Sequence, residues 1–127
     1  MPTTKSLLRG LAVSGLLILA GSRTASAQDP AVVNAKTVHL KLENDRVRVL
    51  EAILQPGEKE QVHSHPAYVT YVIAGGTVRN HFADGKTAEA ELKTGDVLYR
   101  DPVTHWAENI GTTPIRLILV ELKDGAP

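Results

Sequence analysis

Residues 62–76 read Val-His-Ser-His-Pro-Ala-Tyr-Val-Thr-Tyr-Val-Ile-Ala-Gly-Gly, and the reading of this stretch decides the fold. His63 and His65 stand two apart, so an extended backbone over Val62–His65 turns both imidazoles to one face. Two imidazoles on one face are a metal-ligand pair. Neutral imidazole is the commonest side-chain ligand for first-row transition metals, and a strand holds two of them without the entropy cost of ordering a loop. The spacing alone is weak, because such a pair in a small protein is more often surface or hydrogen-bonded histidine. The rest of the chain has to raise it.

Working outward, Gln61–His65 and Tyr68–Ala74 read as two strand pieces interrupted by Pro66, which cannot donate to a central ladder. Upstream, Val38, Leu40 and Leu42 alternate with His39, Lys41 and Glu43. Asn44-Asp45 then supplies turn residues before an extended run over Arg46–Leu54, which makes a hairpin. Pro56-Gly57 breaks that run, Pro setting one dihedral and Gly permitting positive φ at the next. Downstream, Thr77–Ala83 and Lys86–Lys93 flank Asp84-Gly85, a type I′ hairpin signal in which both central residues need positive φ. Gly95-Asp96 opens Val97–Arg100, Asp101-Pro102 marks a corner, and Thr104–Asn109 and Ile115–Leu122 are joined by Gly111–Pro114. Gln28–Ala35, with Pro30, reads as a mobile start. No segment after the leader sustains a 3.6-residue period, so the fold class is all-β, a single sandwich or barrel of short strands.

The first 27 residues stand apart from that domain. Lys5 and Arg9 give a positive start, Leu11–Ala20 is apolar and uncharged, and Ala25-Ser26-Ala27 is a small-residue cleavage site. This is the pattern of a secretory signal peptide cleaved after Ala27, which predicts a periplasmic or secreted protein. The apolar run is well short of the ~20 residues that cross a bilayer, and the absence of cysteine excludes a lipid-modified cysteine anchor. Removing the leader takes Lys5, Arg9 and Arg23 but no acid, leaving 11 basic against 14 acidic side chains, a net −3. With no basic cluster and only five aromatic residues, including Phe82 and Trp106, neither nucleic acid nor an anionic membrane is an expected partner. Without cysteine, stability rests on packing and on any bound metal.

Taken together, Gly57, His63-Ser64-His65, Gly75-Gly76, Gly95-Asp96, His105 and Asn109 resemble the two motifs of the cupin superfamily, small jelly-roll β-barrels. In that family the first motif runs from a Gly through His-x-His to a Glu and a second Gly. Here the Glu is missing, and Tyr68, Val69 and Thr70 are the residues at or next to its place. In the second motif Gly95-Asp96, His105 and Asn109 match, but the stretch from Gly95 to His105 is one residue short, Pro102 is displaced and the turn Gly is absent. The resemblance spans Val38–Leu122 and implies a single jelly-roll domain over residues 28–127, with its barrel core at about 37–122.

The resemblance implies that His63, His65 and His105 converge in the barrel mouth, the third coming from a strand facing the first two, and hold a divalent metal with positions left open for water or substrate. A ligand set without carboxylate leaves the full divalent charge on the ion, a stronger Lewis acid more weakly held. Iron or zinc is then favoured over manganese, with nickel and copper also suited to imidazole. Acid is expected to release the ion as imidazoles protonate near ~6.5. Tyr68, Tyr99 and Glu108 are the candidate catalytic residues, with Asp101 and His81 as further neighbours of the centre; Tyr68 could ligate, donate to substrate or plug the site. His39 lies on a solvent face. The expected function is a metal-dependent enzyme, oxygenase-like or isomerase-like, on a small organic molecule. A non-catalytic metal- or ligand-binding cupin and a metal-free structural barrel are the alternatives, since this fold hosts many functions. A homodimer paired through sheet edges is also expected.

Overall fold

The computed structural model describes residues 28–124; the leader expected over residues 1–27 lies outside them. One turn of helix, α1 (Pro30–Val33), precedes nine strands: β1 (Val38–Glu43), β2 (Val47–Leu54), β3 (His63–His65), β4 (Tyr68–Ala74), β5 (Gly76–Phe82), β6 (Thr87–Leu92), β7 (Val97–Arg100), β8 (Val103–Asn109) and β9 (Ile115–Leu122). They form a five-stranded sheet ordered β1-β2-β9-β4-β7 and a four-stranded sheet ordered β3-β8-β5-β6, antiparallel at every pairing. Period-two alternation sends Leu50, Ala52, Leu54, Val72, Ile115 and Leu119 of the first sheet inward against Val78, Leu92 and Ala107 of the second. The fold is the jelly roll that the motifs imply.

The turns show where local chemistry was read correctly and where it was not. At Pro56-Gly57 the backbone makes the expected turn: Gly57 has φ +83° and Glu58 N donates to Gln55 O at 3.0 Å. Asp84-Gly85 joins β5 to β6 as expected, but not as type I′. Among the described residues only glycines have positive φ, Gly85 at +84°. Gly85 N donates to Phe82 O, and Phe82 N to Lys86 O. This is a three-residue loop closed by a left-handed glycine, the other common hairpin connection.

Two sequence expectations are corrected. Gln28–Ala35 is not a loose start: Asp29 caps α1 by accepting from Ala31 N at 2.9 Å, with buried Pro30 in the first turn. Along β1 only Val38 is buried, while Leu40 and Leu42 are about half exposed. A register shift between Leu40 and Leu42 turns Leu42 to the outer face beside Val49. Asn109, the Asn of the second motif, is a structural residue. Fully buried, it donates to Leu54 O and Thr113 O and accepts from Gly111 N, closing the β8–β9 connection.

Candidate metal centre

His63 and His105 are direct cross-strand partners on β3 and β8, so the third histidine arrives from the adjacent strand of the same sheet rather than from a facing one. His65 lies two residues on, on the same inward face. Ring centroids are 4.8 Å apart for His63–His65, 4.8 Å for His63–His105 and 5.4 Å for His65–His105. All three are buried, and each offers a nitrogen within 4.8 Å of the others'.

Hydrogen bonds assign those nitrogens. His63 Nδ1 lies 2.7 Å from the Gln61 carbonyl oxygen and 3.1 Å from Asn34 Nδ2, a donor; the shorter contact, to an oxygen that only accepts, favours the proton on Nδ1 and the lone pair on Nε2. Asn34, just beyond α1, grips the backbone of Gln61 at both its polar atoms, accepting from Gln61 N at 2.6 Å and donating to Gln61 O at 3.2 Å. His65 Nδ1 meets Glu121 Oε2 at 2.6 Å, and the other Glu121 oxygen faces Arg48, which is itself held by Asp29. His105 Nδ1 meets Asn80 Oδ1 at 3.2 Å. Each ring is thus anchored through Nδ1 by an oxygen acceptor, which fixes tautomer and aim and leaves Nε2 for an ion, the arrangement that accompanies metal-ligating histidine. The donor set fits a divalent transition metal.

Burial, with the neighbouring imidazoles contributing, pushes His63 down to about 4 and His105 down to about 3. Both are neutral, and ready to bind an ion, well below the pH of ~6.5 at which free imidazole protonates. Release by acid therefore moves to lower pH than the sequence suggested.

Sequence reasoning missed Glu121 and Asn80, which anchor His65 and His105, and two residues around His63, Glu60 and Asn34. Glu60, between the Pro56-Gly57 turn and the strand piece read from Gln61, places its nearly buried carboxyl 3.7 Å from His63 Nε2 and accepts from Ala107 N at 3.0 Å. Burial pushes it up to about 7. A carboxyl therefore does stand at the centre, but ahead of His-x-His instead of after it; of the three residues at or next to the motif's Glu position, Tyr68 and Thr70 are buried and line the same pocket. The signal available was the proximity of Glu60 to the pair in sequence, hidden because residues 58–60 lie outside the strand pieces. Asn34 was missed because the N-terminal segment was read as mobile.

The other candidates separate by sheet face. Tyr68 is inward and buried, its ring centroid 4.6 Å from that of His65, and burial pushes its phenol up to about 12. Tyr99 is 60 % exposed on the outer face of the five-stranded sheet and does not reach the pocket. Glu108 faces outward from the four-stranded sheet, bound to Arg79 Nη1 at 2.8 Å. His81 is beside it, stacked on Trp106 with centroids 3.6 Å apart. Asp101 is exposed at the mouth. The pocket itself holds about 90 Å³ of free space and opens at a mouth lined by Asp101, Pro102 and Val103. Its walls are apolar, including Val78, Ala90, Leu98 and Leu117.

Comparison with known proteins agrees with this architecture. The family model described as "Cupin domain" matches residues 50–121, more than half of the chain. None of the curated proteins compared matches. Among solved structures, a cupin domain from Bordetella pertussis is 25 % identical, with a TM-score of 0.62, covering 68 % of this chain and 91 % of that one. A cupin family protein with a double-stranded β-helix fold from Methanocaldococcus jannaschii is 17 % identical with a TM-score of 0.57, over 68 % and 78 % of the two chains. A cupin-like protein from Thermotoga maritima is 24 % identical with a TM-score of 0.54, over 68 % of each chain; these last two likenesses speak to the fold. The chain belongs to the cupin family.

Proposed function

We propose that this cupin is an exported metal-dependent enzyme, released from its leader after Ala27 into the periplasm or the medium, that holds iron or zinc through His63, His65 and His105. Its substrate is a small organic molecule, and the reaction is an oxygenation or an isomerisation. One observation carries the reading: all three rings spend Nδ1 on an oxygen acceptor and keep Nε2 uncommitted. A bound divalent ion supplies Lewis acidity at the floor of the pocket. The protein orients the ligands through Gln61, Glu121 and Asn80, shields the centre with apolar walls, and sets the Glu60 carboxyl within 3.7 Å of His63, where it can carry a substrate proton.

The reading is tested with mature, untagged protein reconstituted separately with iron and zinc and offered small phenols, thiols and carboxylic acids. Oxygen uptake and proton NMR of the mixtures report the two reaction classes. Turnover lost in Glu60→Gln with metal content unchanged is the expected result. Full metal without any turnover supports the non-catalytic binding alternative, and no metal uptake supports the structural one. Intact mass of protein recovered from the exporting cell should begin at Gln28.

A further inference from the structure

Arg100 ends β7 on the inward face, opposite Tyr68 in the register, and lines both the histidine pocket and its mouth. Arg48, Arg79 and Arg116 each hold a carboxylate at 2.7–2.9 Å. Arg100 has no ion pair or side-chain hydrogen bond among the described residues, although Asp101 is next to it. A guanidinium without an acid, at the open end of a pocket with imidazoles at its floor and apolar walls between, matches a ligand with one anionic planar end and an apolar body. We propose that Arg100 binds a carboxylate and that the ligand is a small organic acid reaching from the histidine centre to this guanidinium. This rests on the metal-centre reading.

The test is calorimetric titration of metal-loaded mature protein with pyruvate and benzoate, each against its uncharged amide, pyruvamide or benzamide. A charge-assisted hydrogen bond is worth ~1.5–3 kcal/mol, so at least one acid is expected to bind about tenfold or more tightly than its amide. Arg100→Gln should abolish that preference while keeping full metal content, and Arg100→Lys should restore part of it. Equal binding of acid and amide, no binding of either acid, or a preference that survives Arg100→Gln overturns the proposal and leaves the metal centre standing. Failure to take up metal at all overturns the metal reading instead, and the acid preference is then read on the metal-free protein.

Discussion

At the scale of the residue, the centre depends on groups that never touch the ion. Glu121 holds His65 by a 2.6 Å bond, and loss of such a partner typically costs 10–100-fold in metal affinity. Glu121→Gln keeps the shape and removes the charge, so competition with a chelator should show a fall of about that size. Wild-type affinity in this variant would mean that Glu121 serves Arg48 rather than His65. The two depressed imidazoles also set a pH dependence. Unfolded histidine takes up its proton near ~6.5, whereas folded His63 waits until about 4, so stability is complete above the first value and is lost as pH falls from it toward the second. The His63 difference alone corresponds to about 3 kcal/mol. Glu60 works in the opposite sense. Held to about 7 from 4.5, it keeps a proton in the folded state that the unfolded chain releases, which lowers stability as pH rises through that window. With His63 and His105 against one carboxyl, the unfolding midpoint of metal-free protein should decline below pH ~6.5 and more steeply below ~4.5. A midpoint constant from pH 7 to 4 would contradict the burial of the histidines.

At the scale of the element, one close approach fixes how β4 hands over to β5. A Cβ on Gly75 would run into the backbone carbonyl of Leu92, which cannot rotate away as a side chain could. Gly75→Ala should cost about 2 kcal/mol, read as a drop in unfolding midpoint of roughly 8–16 °C for a domain of this size; an unchanged midpoint would show that β6 yields. The same scale shows what the sequence could and could not disclose. Strands such as Tyr68–Ala74 and Ile115–Leu122 were legible to the residue, because one face of each is buried and period two survives; Val97–Arg100, without a buried residue, was legible from the turn residues that flank it. The opening of β3 was not: Gln61 is pulled out of strand by Asn34, a contact between segments 27 residues apart. Nor was α1, since Asp29-Pro30 is a start signal with only one turn to follow it. Glu60 belongs with these, a long-range placement with no local period. Glu108 and Tyr99 were misplaced for a related reason. Their types suit catalysis, but parity on β8 and β7 turns them away from the pocket that His105 and Arg100 enter.

For the whole molecule, two sheets share their duties unequally. The four-stranded sheet supplies the three histidines, and the five-stranded sheet supplies Glu121, Tyr68 and Arg100 around them. The apolar layer between the sheets therefore carries both the stability and the aim of the ligands. The proposed function rests on three imidazoles that each bring a nitrogen within 4.8 Å of the others'. The most direct test is elemental analysis of mature, untagged protein after exposure to iron and to zinc, beside His105→Ala. About one ion per chain in the wild type, falling sharply in the variant, is the result this account predicts. Occupancy below about a tenth in the wild type, or equal occupancy in the two proteins, would contradict it.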